Sequence, residues 1–258
     1  MATRDTAWPD GTPCWVDLGT SDIPKAISFY SSQFGWDIQQ GGPEVGGYAI
    51  AHLDGRSVAG VGPLMGPPGT PSAWTTYIAA SDADATAAKI KSAGGQLLME
   101  PMDVMDVGRM AVAVDPAGAV FGLWQARAFP GAQIVNDSGA MRWNEQVSRD
   151  FEGSKAFYAA VFGYEYGDMS GSGFSYATFK VDGRDVGGIG DLHAGLPADT
   201  PPGWRVYFGA ADTDASVVRV QANGGSVIRE PIDHPYGRMS TVADDQGGVF
   251  SLLAVTPR

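Results

Sequence analysis

The stretch "SFYSSQFGW", residues 28–36, and its near copy "AFYAAVFGY", residues 156–164, decide the fold of this chain. Each has the pattern of an amphipathic helix that ends at a glycine and continues as a strand. A shift of about 130 residues also aligns many later motifs in the same order, which indicates an internal duplication. The sequence therefore predicts two copies of one domain, spanning residues 1–128 and 129–258.

The first copy repeats a pattern of one strand, one helix and several strands. Its first helix is "SDIPKAISFYSSQF", with Ser21 or Asp22 as the N-cap, and Gly35 suits the left-handed position that ends a helix. Tyr30 lies on the apolar stripe of this helix and Tyr158 is its equivalent in the second copy, so we expect both rings in the core. A second helix follows at "DADATAAKIKSA", with strand patterns on either side. This alternation predicts an α+β fold.

The composition argues against several classes of partner. The chain has 17 Lys and Arg against 29 Asp and Glu, a net charge of −12, so we expect neither nucleic acid nor an anionic membrane as a partner. No run of about 20 apolar residues is present, and the N-terminal residues lack the apolar region of a signal peptide. The single cysteine, Cys14, fits a reducing compartment. The sequence therefore predicts a cytoplasmic protein.

Three motifs give the chain a family resemblance. They are the helix end "FYSSQFGW", the helix "DADATAAKIKSAGG" with its double glycine, and the closing segment from "DPAG" to "FGLWQ". With these motifs the chain resembles the vicinal oxygen chelate superfamily of glyoxalases, extradiol dioxygenases and bleomycin resistance proteins, and within it the two-domain actinobacterial glyoxalase-like proteins. The resemblance implies tandem glyoxalase-like domains, each made of two βαβββ modules that form a curved mixed sheet with a cleft.

The resemblance also implies where a metal would lie. Glyoxalase and dioxygenase members hold a divalent metal in the cleft with His and Glu or Gln side chains. The matching positions carry Trp15, Ala59 or Gly60, Thr75 and Gly122 in the first copy and Trp143, Gly187 or Gly188, Arg205 and Ser251 in the second. The three histidines, His52, His193 and His234, lie at unrelated places, and we expect them at the surface. The sequence therefore predicts no metal and no other cofactor at the usual site.

Two acids are the best polar candidates. Asp17 and Glu145 lie two residues beyond Trp15 and Trp143, so strand alternation points each acid to the same face as its tryptophan. Each is a candidate general base, hydrogen-bond anchor or single ligand of a relocated metal; the alternative is an acid bonded only to its neighbours. The predicted ligand-binding set is Trp15, Asp17, Tyr77, Trp124, Trp143, Glu145, Arg205 and Tyr207. Its aromatic members either line a cleft or fill the core.

These observations leave three functions open. The first is a protein of the bleomycin-resistance kind that binds a small hydrophobic or aromatic molecule without a metal. The second is an enzyme: a glyoxalase-type lyase or isomerase with a relocated metal, or a catalyst that uses Asp17 or Glu145 as its base. The third is an interaction module. The sequence leaves open whether the chain is a monomer or a homodimer, and whether Trp15 shares a cleft with Tyr77 or with Tyr207.

Overall fold

The computed structural model of the chain describes residues 2–64, 69–192 and 200–254. A short strand, β1 (Ala2–Thr3), comes first. The first copy then contains β2 (Pro13–Thr20), α1 (Ile23–Phe34), β3 (Asp37–Gln40), β4 (Ala49–Leu53), β5 (Arg56–Pro63), β6 (Ala73–Ala79), α2 (Ala83–Ser92), β7 (Gln96–Val104), β8 (Gly108–Val114) and β9 (Val120–Ala126). The second contains β10 (Ile134–Val135), β11 (Met141–Ser148), α3 (Phe151–Phe162), β12 (Glu165–Asp168), β13 (Tyr176–Val181), β14 (Arg184–Asp191), β15 (Gly203–Gly209), α4 (Thr213–Ala222), β16 (Ser226–His234), β17 (Gly237–Ala243) and β18 (Val249–Ala254).

Each copy forms its own mixed sheet. The strand order of the first is β3-β4-β5-β2-β6-β9-β8-β7, and the second has the equivalent order β12-β13-β14-β11-β15-β18-β17-β16. The antiparallel pair at the centre, β2 with β6, joins the two βαβββ modules of a domain. On either side of it, β5 runs parallel to β2 and β9 runs parallel to β6. This topology confirms the predicted α+β fold of tandem domains. The N-terminal strand was not part of that prediction: β1 pairs with β10, which extends the second sheet.

The helix ends follow from the local sequence. Asp22, rather than Ser21, is the N-cap of α1, because its carboxylate accepts a hydrogen bond of 3.0 Å from the Lys25 amide. Gly35 ends the helix with a φ of 72°, in the left-handed region that a side chain disfavours. The second copy repeats both features, with Asp150 as the N-cap of α3 and Gly163 at its end. The repeated phrase therefore encodes the same helix and the same turn twice.

The core is shared between the domains, which the sequence analysis did not predict. Tyr30 on α1 is fully buried, as expected, but its ring packs against Phe250 of the second domain. Its hydroxyl donates a hydrogen bond of 2.8 Å to the buried carboxylate of Asp244. In the reciprocal contact the hydroxyl of Tyr158 donates to Asp115 over 3.0 Å. Asp115 and Asp244 lie in the turns "DPAG" and "DDQG", so these turns also tie each domain to the other.

Other predicted features have clear outcomes. Arg109 and Arg238 each pair with two aspartates, Arg109 with Asp84 at 2.8 Å and with Asp103 at 2.9 Å. Cys14 is fully buried and unpaired, and burial raises the pKa of its thiol. No helix within the described residues is long and apolar enough to cross a membrane.

The histidines do not all lie where the sequence predicted. His234, the last residue of β16, is exposed as expected. His52 is half-buried rather than solvent-facing, and its Nδ1 atom is enclosed without a hydrogen-bond partner among the described residues. His193 lies outside the described residues.

Candidate functional site

The alternation of the central strands separates two faces of each sheet. Trp15 and Asp17 on β2 lie on one face, and Val16 and Leu18 lie on the other. We call the face that carries Val16 and Leu18, and its equivalent in the second sheet, the outer face, and the opposite one the inner face. The two outer faces pack against each other between the domains. The hydroxyl of Thr76, for example, donates a hydrogen bond of 2.9 Å to Asn144. The inner face carries the predicted site residues. We call the group Trp15, Asp17, Tyr48 and Tyr77 the first cleft, and the group Trp143, Glu145, Tyr176 and Tyr207 the second cleft.

In the first cleft, two tyrosines surround the carboxylate of Asp17. The indole of Trp15 donates a hydrogen bond of 3.0 Å to the Tyr48 hydroxyl, which in turn donates to Asp17 over 3.4 Å. The Tyr77 hydroxyl hydrogen-bonds the same carboxylate. Burial raises the pKa of Asp17 to about 7, because loss of water outweighs the two tyrosine hydrogen bonds that lower it. The carboxyl group therefore gains and loses its proton near neutral pH.

The second cleft repeats this arrangement with a glutamate. The indole of Trp143 donates a hydrogen bond of 2.8 Å to the Tyr176 hydroxyl, and the Tyr207 hydroxyl donates one of 2.7 Å to Glu145. Tyr176 also hydrogen-bonds Glu145. Strand register fixes these pairings, since Trp143 lies opposite Tyr207 and Trp15 lies opposite Tyr77. Each cleft is thus formed within one domain, which resolves the alternative that the sequence left open.

Tyr48 and Tyr176 are site residues that were not predicted from the sequence. Each tyrosine crosses over a glycine of the neighbouring strand to reach the acid: a Cβ atom on Gly60 would lie 1.8 Å from the Tyr48 hydroxyl, and one on Gly188 would lie 2.0 Å from that of Tyr176. No side chain fits beneath the rings. The signal was present, since both copies place a tyrosine just before or at the start of the same strand and a Gly-X-Gly segment on the next strand.

The linker between the domains closes one end of the first cleft. Phe129 lies edge-on to the ring of Trp15, with 4.9 Å between centroids, and also contacts Trp124. The indole of Trp124 donates a hydrogen bond of 3.0 Å to the backbone oxygen of Phe129. Trp15 and Trp124 are therefore only 4% and 8% exposed, whereas Trp143 is half-buried. Of the predicted stacking tryptophans, Trp143 is the best placed to contact a ligand.

A row of polar groups continues across the second sheet from Tyr207. The hydroxyl of Ser251 on β18 hydrogen-bonds that of Tyr207, and Ser251 shares a hydrogen bond of 3.2 Å with Thr241 on β17. Thr241 lies opposite Arg229 on the edge strand β16. The equivalent positions in the first sheet hold Gly122, Val112 and Met99. The second cleft is therefore polar across its full width, and the first is apolar beyond Tyr77.

Arg205 is a further difference between the clefts. It lies on β15 directly opposite Glu145, at the position that Thr75 holds opposite Asp17. Its side chain is half-buried on the inner face. Within the part of the chain that the structure describes, its guanidinium forms no ion pair and no side-chain hydrogen bond, and the carboxylate of Glu145 opposite it is hydrogen-bonded by Tyr176 and Tyr207. The guanidinium donors of Arg205 are thus available.

The residues of the clefts do not fit a divalent transition metal. The described ranges contain no group of three His, Cys, Asp or Glu side chains placed to hold an ion. Each cleft offers one carboxylate surrounded by phenol and indole groups, and neither brings a histidine to the acid. Imidazole, thiolate and several carboxylates are the donors that such metals need. The positions that match the metal ligands of other members hold tryptophan, small residues, threonine, serine and, at Arg205, a cation.

Two cavities lie beside the clefts, around the indole of Trp8. One, of about 210 Å³, is lined by Trp124, Cys14 and Asp10 among others. The other, of about 130 Å³, is lined by Trp143, Thr12 and Arg142 among others. Neither is lined by Asp17 or Glu145. They place open space next to two of the predicted ligand-binding residues, Trp124 and Trp143, at the junction of the domains.

Comparison with known proteins agrees with the fold and the duplication. The family model of the glyoxalase/bleomycin resistance protein/dioxygenase superfamily matches residues 14–123 and again residues 142–250. The chain belongs to this superfamily. Its relatives include the "Putative glyoxylase CFP32" of Mycobacterium tuberculosis, 41% identical over 99% of both chains. Another is the anthracycline biosynthesis protein DauV of a Streptomyces species, 36% identical over 96% of this chain and 94% of the relative.

Solved structures of the superfamily share the architecture at low sequence identity. The Mn(II)-bound glyoxalase of Novosphingobium aromaticivorans has a TM-score of 0.67 and 16% identity, covering 96% of this chain and 83% of its own. A 2,2',3-trihydroxybiphenyl 1,2-dioxygenase of Sphingomonas wittichii has a TM-score of 0.64 and 14% identity, covering 95% of this chain and 90% of its own. At such identities the likeness establishes the fold alone.

Proposed function

We propose that this superfamily member binds a small hydrophobic or aromatic molecule on the inner face of a domain, without the metal that other members use. One observation carries the proposal: the same set of a tryptophan, two tyrosines and one acid occupies the inner face of both domains. Rings provide flat apolar surface, and the acid and hydroxyls orient the polar atoms of a ligand. The names of the relatives, one concerned with anthracycline biosynthesis and one with glyoxylase activity, support a role with small molecules.

The donor set supports the metal-free part of the proposal. A carboxyl group must be deprotonated to bind a metal, and a transition metal needs several donors around it. Here each acid accepts hydrogen bonds from two tyrosines, and the positions around it offer glycine, threonine or arginine. Each cleft is formed within one domain, so a single chain completes both. The outer faces of the two domains already cover each other, and we therefore expect a monomer.

One observation favours an enzyme as a second candidate. With a pKa of about 7, Asp17 exchanges protons in the range that acid–base catalysis requires. The hydroxyls of Tyr48 and Tyr77 lie beside it and are able to stabilise a developing oxyanion. A proton transfer next to a carbonyl group, of the isomerase or lyase kind, suits this arrangement. If this candidate holds, activity falls in D17N and follows a pKa near that of Asp17.

The test of the proposed function joins metal analysis to ligand binding. The metal content of untagged protein is measured by mass spectrometry as isolated, and aromatic ligands are titrated before and after dialysis against a chelator while tryptophan fluorescence is recorded. We expect less than about a tenth of an equivalent of any transition metal, and binding that is unchanged by chelation. Near-stoichiometric retention of one metal, or binding that appears only after a metal is restored, contradicts the proposal.

A further inference from the structure

We propose that the second cleft is the ligand site, and that its ligand is a flat aromatic molecule carrying a carboxylate or another ionised oxygen, which Arg205 binds. The inference rests on the proposed function for the location of the site on the inner face. It goes further in choosing between the two clefts and in assigning the charge of the ligand. Three features of the second cleft carry it.

The first feature is the state of Arg205. A half-buried guanidinium has lost part of its hydration, and this costs free energy unless a partner is bound. Glu145 lies opposite in the strand register, but its carboxylate already accepts hydrogen bonds from Tyr176 and Tyr207. Arg205 therefore lies beside the acid without a hydrogen bond to it. A planar guanidinium with free donors matches the two oxygens of a carboxylate, the pair that forms the strongest hydrogen bonds of this kind.

The second feature is the contrast with the first cleft. There the residue opposite the acid is Thr75, and the row beyond Tyr77 is Gly122, Val112 and Met99. In the second cleft each of these positions is more polar, and two of the four replacements, Arg205 and Arg229, are cationic. The whole chain carries a net charge of −12, so two arginines on one inner face form a local exception to the charge of the molecule.

The third feature is the aromatic surface beside Arg205. Trp143 and Tyr176 are both half-buried and are joined by a hydrogen bond of 2.8 Å, so their rings are fixed before a ligand arrives. Fixed rings lose little conformational entropy on binding. In the first cleft the equivalent tryptophan, Trp15, is covered by Phe129. The second cleft therefore combines an accessible ring with an unpaired cation.

The experiment uses matched pairs of ligands that differ in charge alone. Benzoate and benzamide, and 1-naphthoate and 1-naphthamide, are titrated into the full chain by calorimetry at low salt. The first variant, R205T, places the residue of the first cleft in the second. A control variant, R184T, removes an exposed arginine at the start of β14. In the wild type we expect naphthoate to bind about tenfold more tightly than naphthamide, because a charge-assisted pair replaces a neutral one.

The variants show whether that preference comes from Arg205. We expect R205T to bind the two naphthyl ligands equally and to keep its affinity for naphthamide, which shows that its cleft is intact, while R184T keeps the full preference. Equal binding by the wild type, a preference that survives in R205T, or loss of both ligands in R205T overturns the anionic assignment. The proposed function stands as long as the wild type binds either naphthyl ligand. If the wild type binds no member of either pair, both proposals fail.

Discussion

In the first cleft the carboxylate of Asp17 faces Thr75 across the central strands, whereas in the second the carboxylate of Glu145 faces Arg205. The residues around the first cleft are also less polar than those around the second. The first cleft is closed at one end by Phe129, and its row beyond Tyr77 is apolar. The duplicated frame of tryptophan, tyrosines and acid is therefore common to both domains, while the residues that would select a ligand are confined to the second.

In the proposal made above, the inner face of the first domain has a packing role and that of the second has the binding role. Both acids sit at the same point of the same strand, yet they experience different electrostatics, because one neighbouring strand supplies a hydroxyl and the other a guanidinium. Burial raises the pKa of Asp17, because the ionised carboxylate loses its hydration there. Changes made at equivalent positions should separate the two roles.

The largest effect is expected from adding a methyl group under each tyrosine. In G60A and G188A the new Cβ atom would lie within about 2 Å of a tyrosine hydroxyl, so the ring must move. We expect both variants to lower the free energy of unfolding by about 2–3 kcal/mol in urea denaturation, as overpacking does. G188A alone should weaken naphthoate binding, by about tenfold or more.

The control for this pair is G190A, whose Cβ atom would approach the Tyr176 ring only to 3.2 Å. Its effects on stability and on binding should both be smaller. Weakening of naphthoate binding by G60A to the same extent as by G188A would show that the first cleft, and not only the second, holds the ligand.

The next effect concerns the linker that closes the first cleft. F129A removes the ring that lies between Trp15 and Trp124, and we expect it to lower the free energy of unfolding by about 2 kcal/mol, less than for a fully buried phenylalanine. It should also open an apolar site, so calorimetry should detect additional binding of the uncharged naphthamide. F174A serves as the control, because Phe174 is 44% exposed and its loss should change neither property.

Acrylamide quenching provides an independent check on this closure. The tryptophan fluorescence of F129A should become more accessible to acrylamide than that of the wild type. Unchanged quenching together with unchanged naphthamide binding would mean that Phe129 does not keep the first cleft closed.

A third effect follows from the pKa of Asp17 and depends on pH. Its folded pKa of about 7 lies above the value of roughly 3.9 expected in the unfolded chain. Between these two values the folded state binds more protons, so this group makes the protein less stable as pH rises from about 4 to 7. D17N should therefore be more stable than the wild type near pH 8, by about 1 kcal/mol after allowance for partial exposure, and equal to it near pH 4.

Burial raises the pKa of Asp115 and Asp244 as well, so these acids also contribute to the pH dependence of stability. The difference in stability between D17N and the wild type isolates the contribution of Asp17. Denaturant unfolding at several pH values gives the difference directly. A D17N variant that is less stable than the wild type at pH 8 would show that the ionised carboxylate stabilises the first cleft.

The smallest effect is expected from removing the charge of each acid in turn. If the ligand is an anion beside Glu145, E145Q removes a repulsive charge and should raise naphthoate affinity by about threefold, with no change for naphthamide. D17N should leave both affinities unchanged, since Asp17 belongs to the other cleft. Calorimetry at low salt resolves a change of this size. A naphthoate affinity that changes in D17N and not in E145Q would reverse the assignment of the clefts.

Much of this arrangement follows from local sequence, and the remainder does not. Helix caps such as Asp22 and Gly35, and the alternation that sets Trp15 and Asp17 on one face, depend on neighbours in the chain and were predicted. The hydrogen bonds from Tyr48 and Tyr176 depend on glycines of the adjacent strand, and the contact between Tyr30 and Asp244 joins two domains. Such contacts depend on how strands and domains assemble, so periodicity alone does not reveal them.

The most direct test locates the ligand among the seven tryptophans of the chain. Protein labelled with 5-fluorotryptophan is titrated with 1-naphthoate, and 19F spectra are assigned with single Trp→Phe variants. We predict that the resonance of Trp143 shifts to saturation, that the same shift in R205T requires about tenfold more naphthoate, and that the resonance of Trp15 stays in place. A saturating shift of Trp15 with Trp143 unmoved would contradict the assignment of ligand binding to the second cleft.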